Sequence, residues 1–411
     1  MGQLVSLLGT GCRTVALSWW ILEKTGSAKA IASVLVPAMI VNLALLPLFG
    51  PLGDNFSRKK LIVIADLGRF VVAGVVASMV YFDYFNLVLL AVLYTVSSMG
   101  TALFNAVEPG IIPQIVEKKK WQTAFQQSYG INSFAGVAGG MVGGIIVSVF
   151  GVFGAILTDA ASFLIAGLSS NLIQANTVPR RKRKTPPIKS LSHWKAEFFD
   201  GFRLFFKIQV LFWLAILAML INLAQAPLWV ALPVFVKLAR SMPAWYLGAL
   251  ESSIALGAIA GSLMLNWIQR FLKRRAILIY CLVLQGIGFM VLPWAPGVIL
   301  PMAMLFGVGL GSSMANIQFE TQLALVIPDS HRSRFNSIID FLCLGLYPLG
   351  MAGGSLLIAQ WGLFVTLGIM GLLNILMAPL ILLIPLLPEL MEVSVHKARG
   401  FLKKHYPGVA I

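Results

Sequence analysis

Charge is what this 411-residue chain has least of: Asp, Glu, Lys and Arg make up 11% of it, against about 25% in an average soluble domain. So low a content excludes a disordered chain and a soluble nucleic-acid-binding domain. Cysteine is also scarce. Cys12, Cys281 and Cys343 are too few and too scattered for a disulfide framework or a zinc site. The four histidines (His193, His331, His396, His405) fall in predicted loops or the tail, and no G-x-x-x-x-G-K-[ST] phosphate loop is present. No enzyme signature, metal or cofactor is therefore expected, and ATP is not the expected direct energy source.

Apolar residues are abundant. They form 58% of the chain, about 238 positions, and twelve bilayer-spanning helices of roughly 20 residues each would use about 240. Trp121 to Thr158 runs 38 positions without a charge and has a turn signal at Phe150-Gly151-Val152-Phe153-Gly154. Ala276 to Phe319 runs 44 and breaks at Pro293–Gly297; Phe341 to Pro388 runs 48 and breaks near Gln360-Trp361-Gly362. Single spans are expected over 30–53, 84–107, 208–236 and 252–269. Two more, 3–23 and 61–82, carry Arg13 and the pair Asp66 and Arg69 inside them. Barrel strands would alternate apolar and polar residues, and these runs do not. The expected fold class is an all-α integral membrane protein of twelve transmembrane helices in two pseudo-repeated six-helix bundles.

The net charge of +16 then describes loops. With the N-terminus cytoplasmic, 25 basic residues lie in inner loops and tail and four (Lys24, Lys29, Lys237, Arg240) outside. The positive-inside rule places both termini in the cytoplasm of a multi-pass protein of the cell membrane. The expected organisation is an N-terminal bundle over 1–174, a cytoplasmic linker over 175–207, a C-terminal bundle over 208–388 and a basic tail over 389–411. The linker holds the basic run Arg180–Lys184, suited to anionic headgroups, and an amphipathic helix from Trp194 to Lys207. Gly139, Gly140, Gly143 and Gly144 in span five correspond to Gly350, Gly353 and Gly354 in span eleven. Small residues at that spacing let helix backbones approach, either in ordinary packing or where two moving halves meet.

The loop after span two reads Gly50-Pro51-Leu52-Gly53-Asp54-Asn55-Phe56-Ser57-Arg58-Lys59-Lys60. It resembles the G-x-L-x-D-R-x-G-R-K signature of the major facilitator superfamily, with Asn55 and Ser57 as departures. Within that superfamily the chain is similar to the macrolide-efflux and siderophore-exporter branch, through Glu23–Ala28, Asn105–Pro109, Asp159–Phe163 and Arg332–Phe335. Residues 139–144 resemble an exporter signature, G-P-x-x-G-G, with Gly140 in place of proline. The family usually has a short tail before its first helix, so a truncated start is expected here. The resemblance implies a gating latch at the inner face, with Asp54 capping a helix of the opposite half and Gly50, Gly53, Arg58, Lys59 and Glu108 around it; the alternative is that these charges are simply solvated in the loop.

Ionisable groups inside spans each need a reason, since insertion costs roughly 2.5–3.5 kcal/mol apiece. Asp66 and Arg69 are three apart on one helix turn and are expected to pair with each other. Glu251, at the outer end of span eight, is expected to face water. Arg13 has no acid within a turn of its own helix. It must face water, a partner on another helix, or an anionic group on cargo, and the resemblance places it beside substrate. Asp159 either carries a proton or bonds a neighbouring backbone group; Asp340 is a second proton-coupling candidate. Asn42, Asn222, Gln225, Gln285, Asn316 and Gln318 offer uncharged hydrogen-bonding groups for a substrate cavity, though polar packing between helices would account for some of them.

The resemblance implies a secondary active transporter, not an enzyme. It would export amphipathic organic compounds, drug-like or siderophore-like, by alternating access as a proton-coupled antiporter. Its partners would be small-molecule substrate, protons and membrane lipid, with no nucleic acid, and it would act as a monomer. The alternatives are an exporter or flippase of an anionic metabolite or lysolipid that uses Arg13, and an importer of the same fold.

Overall fold

The computed structural model describes residues 2–108, 111, 121–172, 208–326, 342–392 and 405–406, with their side chains apart from positions 47, 50, 51, 53–55, 121–130, 132, 133, 323–326 and 392. Lipid offers no partner for a backbone N–H or C=O, so long apolar runs bond internally as helices. The described residues accordingly hold helices and no strand. In chain order these are α1 (Gly2–Thr25), α2 (Ala28–Asn55), α3 (Arg58–Tyr81), α4 (Leu87–Val107) and α5 (Trp121–Asn171). They continue as α6 (Gln209–Gln225), α7 (Leu228–Val234), α8 (Ala244–Ile268), α9 (Arg274–Val291) and α10 (Ile299–Val326). The last are α11 (Tyr347–Trp361), α12 (Leu363–Met377) and the short α13 (Leu387–Glu392).

Among the described residues, 11 stretches are long and apolar enough to cross a bilayer. One of them, Phe134–Asn171, has 38 residues and holds two spans. Its helix breaks at Gly151, where φ is 70° and ψ is −178°. A Cβ is disfavoured in that region, which is why glycine stands there. Counting both limbs of α5 gives twelve spans. Gly362, at φ 85°, separates α11 from α12 in the same way. The turn Leu292–Trp294, with Pro293 in it, ends α9. All three breaks lie where the sequence predicts them.

Two spans differ from expectation. Span seven is not one rod: α6 ends before Pro227, and α7 runs through Pro233 into a wider π-type turn, Phe235–Ala239. Proline supplies no N–H and crowds the preceding turn, so the helix divides there. Span eight begins at Ala244, two turns before the expected start at Ser252. The charge-free run stops at Glu251, whereas the helix continues through it. Glu251 is therefore within the body of α8 and half-buried rather than in water at its outer end.

The chain gathers into two compact units, residues 1–190 with 229–252 and residues 191–228 with 253–411. In the first, α1 and α3 pack along α5, while α4 packs against α2 and α3. In the second, α6 packs against α11 and α12, and α9 against α10 and α12. Counted in spans, one meets five and six, and three meets four and six, as seven meets eleven and twelve, and nine meets ten and twelve. Each unit thus repeats one pairing scheme. Large apolar side chains also cover the outside, as Val88 and Leu263 do at 74% and 76% exposure. Such a surface suits hydrocarbon, where packing between helices depends on close approach rather than on water exclusion.

Candidate functional site

The first unit closes around four charges. Arg13 sits midway along α1, Asp66 and Arg69 on α3, and Asp159 on α5 beyond Gly151. All four are buried, Asp66 and Asp159 completely. Arg69 Nη2 contacts Asp66 Oδ1, the expected pairing across one turn. Arg13 Nη1 donates to Ser97 Oγ of α4 at 2.8 Å. Arg13 Nε lies 3.6 Å from Asp159 Oδ2, an ion pair too long for a hydrogen bond. Phe163 lies between the two guanidinium groups, its ring centroid 5.5 Å from Arg13 Cζ and 4.5 Å from Arg69 Cζ. Tyr94 and Phe104 of α4 supply further ring faces for Arg13 and Arg69, contacts that favour a desolvated cation.

Sequence order brings this knot together through small residues. A Cβ on Gly9 would meet Asp159 Cα at 3.1 Å, and one on Gly143 would meet Cys12 Cα at 2.7 Å. α1 therefore lies close against both limbs of α5, and Arg13 reaches Asp159. Of the three options open to Arg13, the structure takes the partner on another helix. Its charge is already balanced, which weakens the case for an anionic cargo. The balance is incomplete in hydrogen bonds: Arg13 Nε and both Asp159 carboxylate oxygens have no partner among the described residues. A recess of about 10 Å³ beside Arg13, lined by Leu17, Val76, Tyr94, Ser97 and Ile156, has room for about one water-sized group.

The second unit has an uncharged counterpart at the same places in its scheme. Gln225 Nε2 of α6 donates to Gln285 Oε1 of α9 at 2.8 Å and to Asn374 Oδ1 of α12 at 2.9 Å. Of the other expected cavity residues, Asn42 Nδ2 donates to Ser98 O across α2 and α4, and Asn222 bonds back to Ala218 O of its own helix. Asn316 is exposed. Gln318 is buried with both amide atoms unpartnered among the described residues. The six do not all converge; Gln225 and Gln285 meet, together with Asn374, which lies outside the expected set. Asn374 carries no charge and sits among apolar neighbours, so its only sequence signal is a polar side chain inside a span.

The glycines serve two faces of α5. Gly139 and Gly143 face α1, whereas Gly140 and Gly144 face Ala244–Glu251 of α8. Gly350 and Gly354 pack on Leu223, Ala226 and Pro227, while a Cβ on Gly353 would meet nothing within 4 Å. At the latch, Arg58 and Lys59 open α3 and are half-buried. Gly50, Gly53 and Asp54 fall within α2, with their side chains outside the described positions. Glu108 Oε1 accepts from Gln3 Nε2 at 3.3 Å, and burial pushes its carboxyl above the ordinary range while that bond opposes the shift. Asp340, the linker over 175–207 and the tail from 393 to 404 lie outside the described residues. A contact the sequence did not suggest joins Lys237 to Glu23 at 3.2 Å, with Lys237 Nζ 4.4 Å from the Trp19 ring centroid.

A family model described as Major Facilitator Superfamily matches residues 1–346. Among curated proteins, macrolide efflux protein A of Streptococcus pyogenes is 21% identical over 287 residues, 70% of each chain. The multidrug efflux pump Tap of Mycolicibacterium fortuitum is 22% identical over 389 residues, 93% of each. Among solved structures, a bacterial homologue of the iron transporter ferroportin, inward-facing, superposes with a TM-score of 0.70 at 17% identity, covering 92% of this chain and 96% of its own. A peptide transporter complexed with alafosfalin superposes with a TM-score of 0.72 at 13% identity, covering 95% and 94%.

Proposed function

We propose that this chain, which belongs to the major facilitator superfamily, is a multi-pass membrane transporter that exports amphipathic organic compounds in exchange for protons. The efflux names of its relatives support the direction and the substrate class. The 25 basic residues on inner loops against four outside support an inner-membrane orientation with both termini cytoplasmic. Alternating exposure of a midplane site to each face is the mechanism that two pseudo-repeated bundles suggest. Asp54, Arg58 and Glu108 would hold the inner face shut.

The single observation that carries proton coupling is Asp159. It is a fully buried carboxylate, 3.6 Å from Arg13, with neither oxygen hydrogen-bonded among the described residues. A proton arriving there removes the counter-charge of Arg13. Arg13 then keeps Ser97 of α4 and loses its hold on α5, so protonation is felt at the contact of α1 with α5. The first-unit knot acts as the proton site, and cargo competes through the change in α1.

Asp159→Asn tests this in proteoliposomes loaded with ethidium. The variant should exchange dye for dye at equal pH while losing uptake driven by an imposed pH gradient. Retained gradient-driven uptake would remove Asp159 from the coupling step.

A further inference from the structure

A second carboxylate in the first unit has no part in the charged knot. Glu251 lies on α8 where that helix crosses the first limb of α5. The crossing is made of glycine: a Cβ on Gly248 would run into Gly140 O, and one on Gly144 would meet Ala244 O at 2.7 Å. Ser252 Oγ donates to Val137 O at 2.6 Å and holds the register. In this register the Glu251 side chain fills the slot that Gly140 leaves. Glu251 Oε2 is 2.8 Å, and its Cβ 3.1 Å, from where a side chain on Gly140 would begin.

The other carboxylates within spans of this unit whose side chains are described each have a cation: Asp66 has Arg69, Asp159 has Arg13 and Glu23 has Lys237. Glu251 has no ion pair with any described residue. The elements around it offer none. Residues 134–150 of α5 carry no charge, and its own segment of α8 contributes Tyr246 as a titratable group, with Arg240 before the helix begins. A half-buried carboxylate with no counter-charge is costly in lipid. A bound positive charge relieves that cost.

We propose that Glu251, seated in the slot made by Gly140, is a binding site for a single positive charge, carried either by a proton or by an organic cation being transported. This deepens the exporter reading and rests on it for the identity of the cargo. Gly140 sets the position of the carboxylate, because any side chain there displaces it toward α8.

Tetraphenylphosphonium binding to purified wild-type protein, followed across pH, tests the site without transport. Carboxyl infrared difference spectra over the same pH range report the proton separately. If an organic cation is the ligand, Glu251→Gln weakens tetraphenylphosphonium binding by about tenfold or more, the loss of one charge-assisted contact. Gly140→Ala weakens it too while keeping the protonation band. If the proton alone is the ligand, tetraphenylphosphonium binding is unchanged in Glu251→Gln but one protonated-carboxyl band disappears. Folded Glu251→Gln protein that keeps both the binding and every carboxyl band overturns the proposal. Absence of dye export by wild-type vesicles would overturn the exporter reading and leave these two readouts to decide the site.

Discussion

At the scale of residues, the Arg13–Asp159 pair is an energetic commitment. Removing one partner of a buried pair strands the other charge, typically at about 3–5 kcal/mol. Asp159→Asn should therefore lower the melting temperature in detergent, and adding Arg13→Gln should recover much of the loss. Additive losses in the double variant would mean that the two side chains do not sense each other. Glu108 gives a pH-dependent counterpart outside the spans. Its carboxyl is shifted above the ordinary 4.5 mainly by burial, against the opposing bond from Gln3. A raised acid favours the folded state when protonated, and that advantage fades as pH rises through the folded-state value. Glu108→Gln should consequently melt higher than wild type near pH 8, with the gap closing toward pH 4.5. A gap that widens toward acid would reverse the assignment. Arg13 could be singled out in the sequence because a lone charge in an apolar run is conspicuous. Asp159 stands out for the same reason, but their pairing does not, because the two meet only through the approach of α1 to α5. Ser97 carries no signal that separates it from other span residues, and Phe163 none beyond its place at the end of the Asp159–Phe163 segment.

Among elements, the breaks were legible and the faces were not. Gly151, Pro293 and Gly362 mark reversals because a charge-free run twice the bilayer thickness has to turn somewhere, and these residues tolerate the turn. Which glycine meets which helix depends on rotation about each axis, and an apolar run without polar periodicity does not report it. Gly143 and Gly353 look alike in sequence. In the structure a Cβ at Gly143 would press on the backbone of Cys12, and one at Gly353 would meet open space. Gly143→Ala should cost about 1–3 kcal/mol through overpacking. Gly353→Ala should be neutral or stabilising by about 0.5–1 kcal/mol. Thermal melts of the two variants side by side check this, and equal effects would contradict the placement of α1 on α5. The start of α8 was misjudged for a related reason. Glu251 interrupts the apolar run, while the helix passes through it because glycines on both sides make room.

For the whole molecule, twelve spans follow from composition and charge, and the repeated pairing scheme follows from the chain being two versions of one arrangement. The two versions differ in chemistry. The first knot holds charges on spans one, three and six, and the second holds Gln225, Gln285 and Asn374 on spans seven, nine and twelve. That asymmetry is the reason for proposing that proton handling belongs to the first unit, while amide bonds join helices in the second. Inverted membrane vesicles, with the cytoplasmic face outward, test direction, orientation and coupling together. With an acidic interior imposed, ethidium should accumulate inside while protons leave in step, and a protonophore, by collapsing the gradient, should abolish the accumulation. Accumulation that persists without the proton gradient, or dye that leaves as protons leave, would contradict the account.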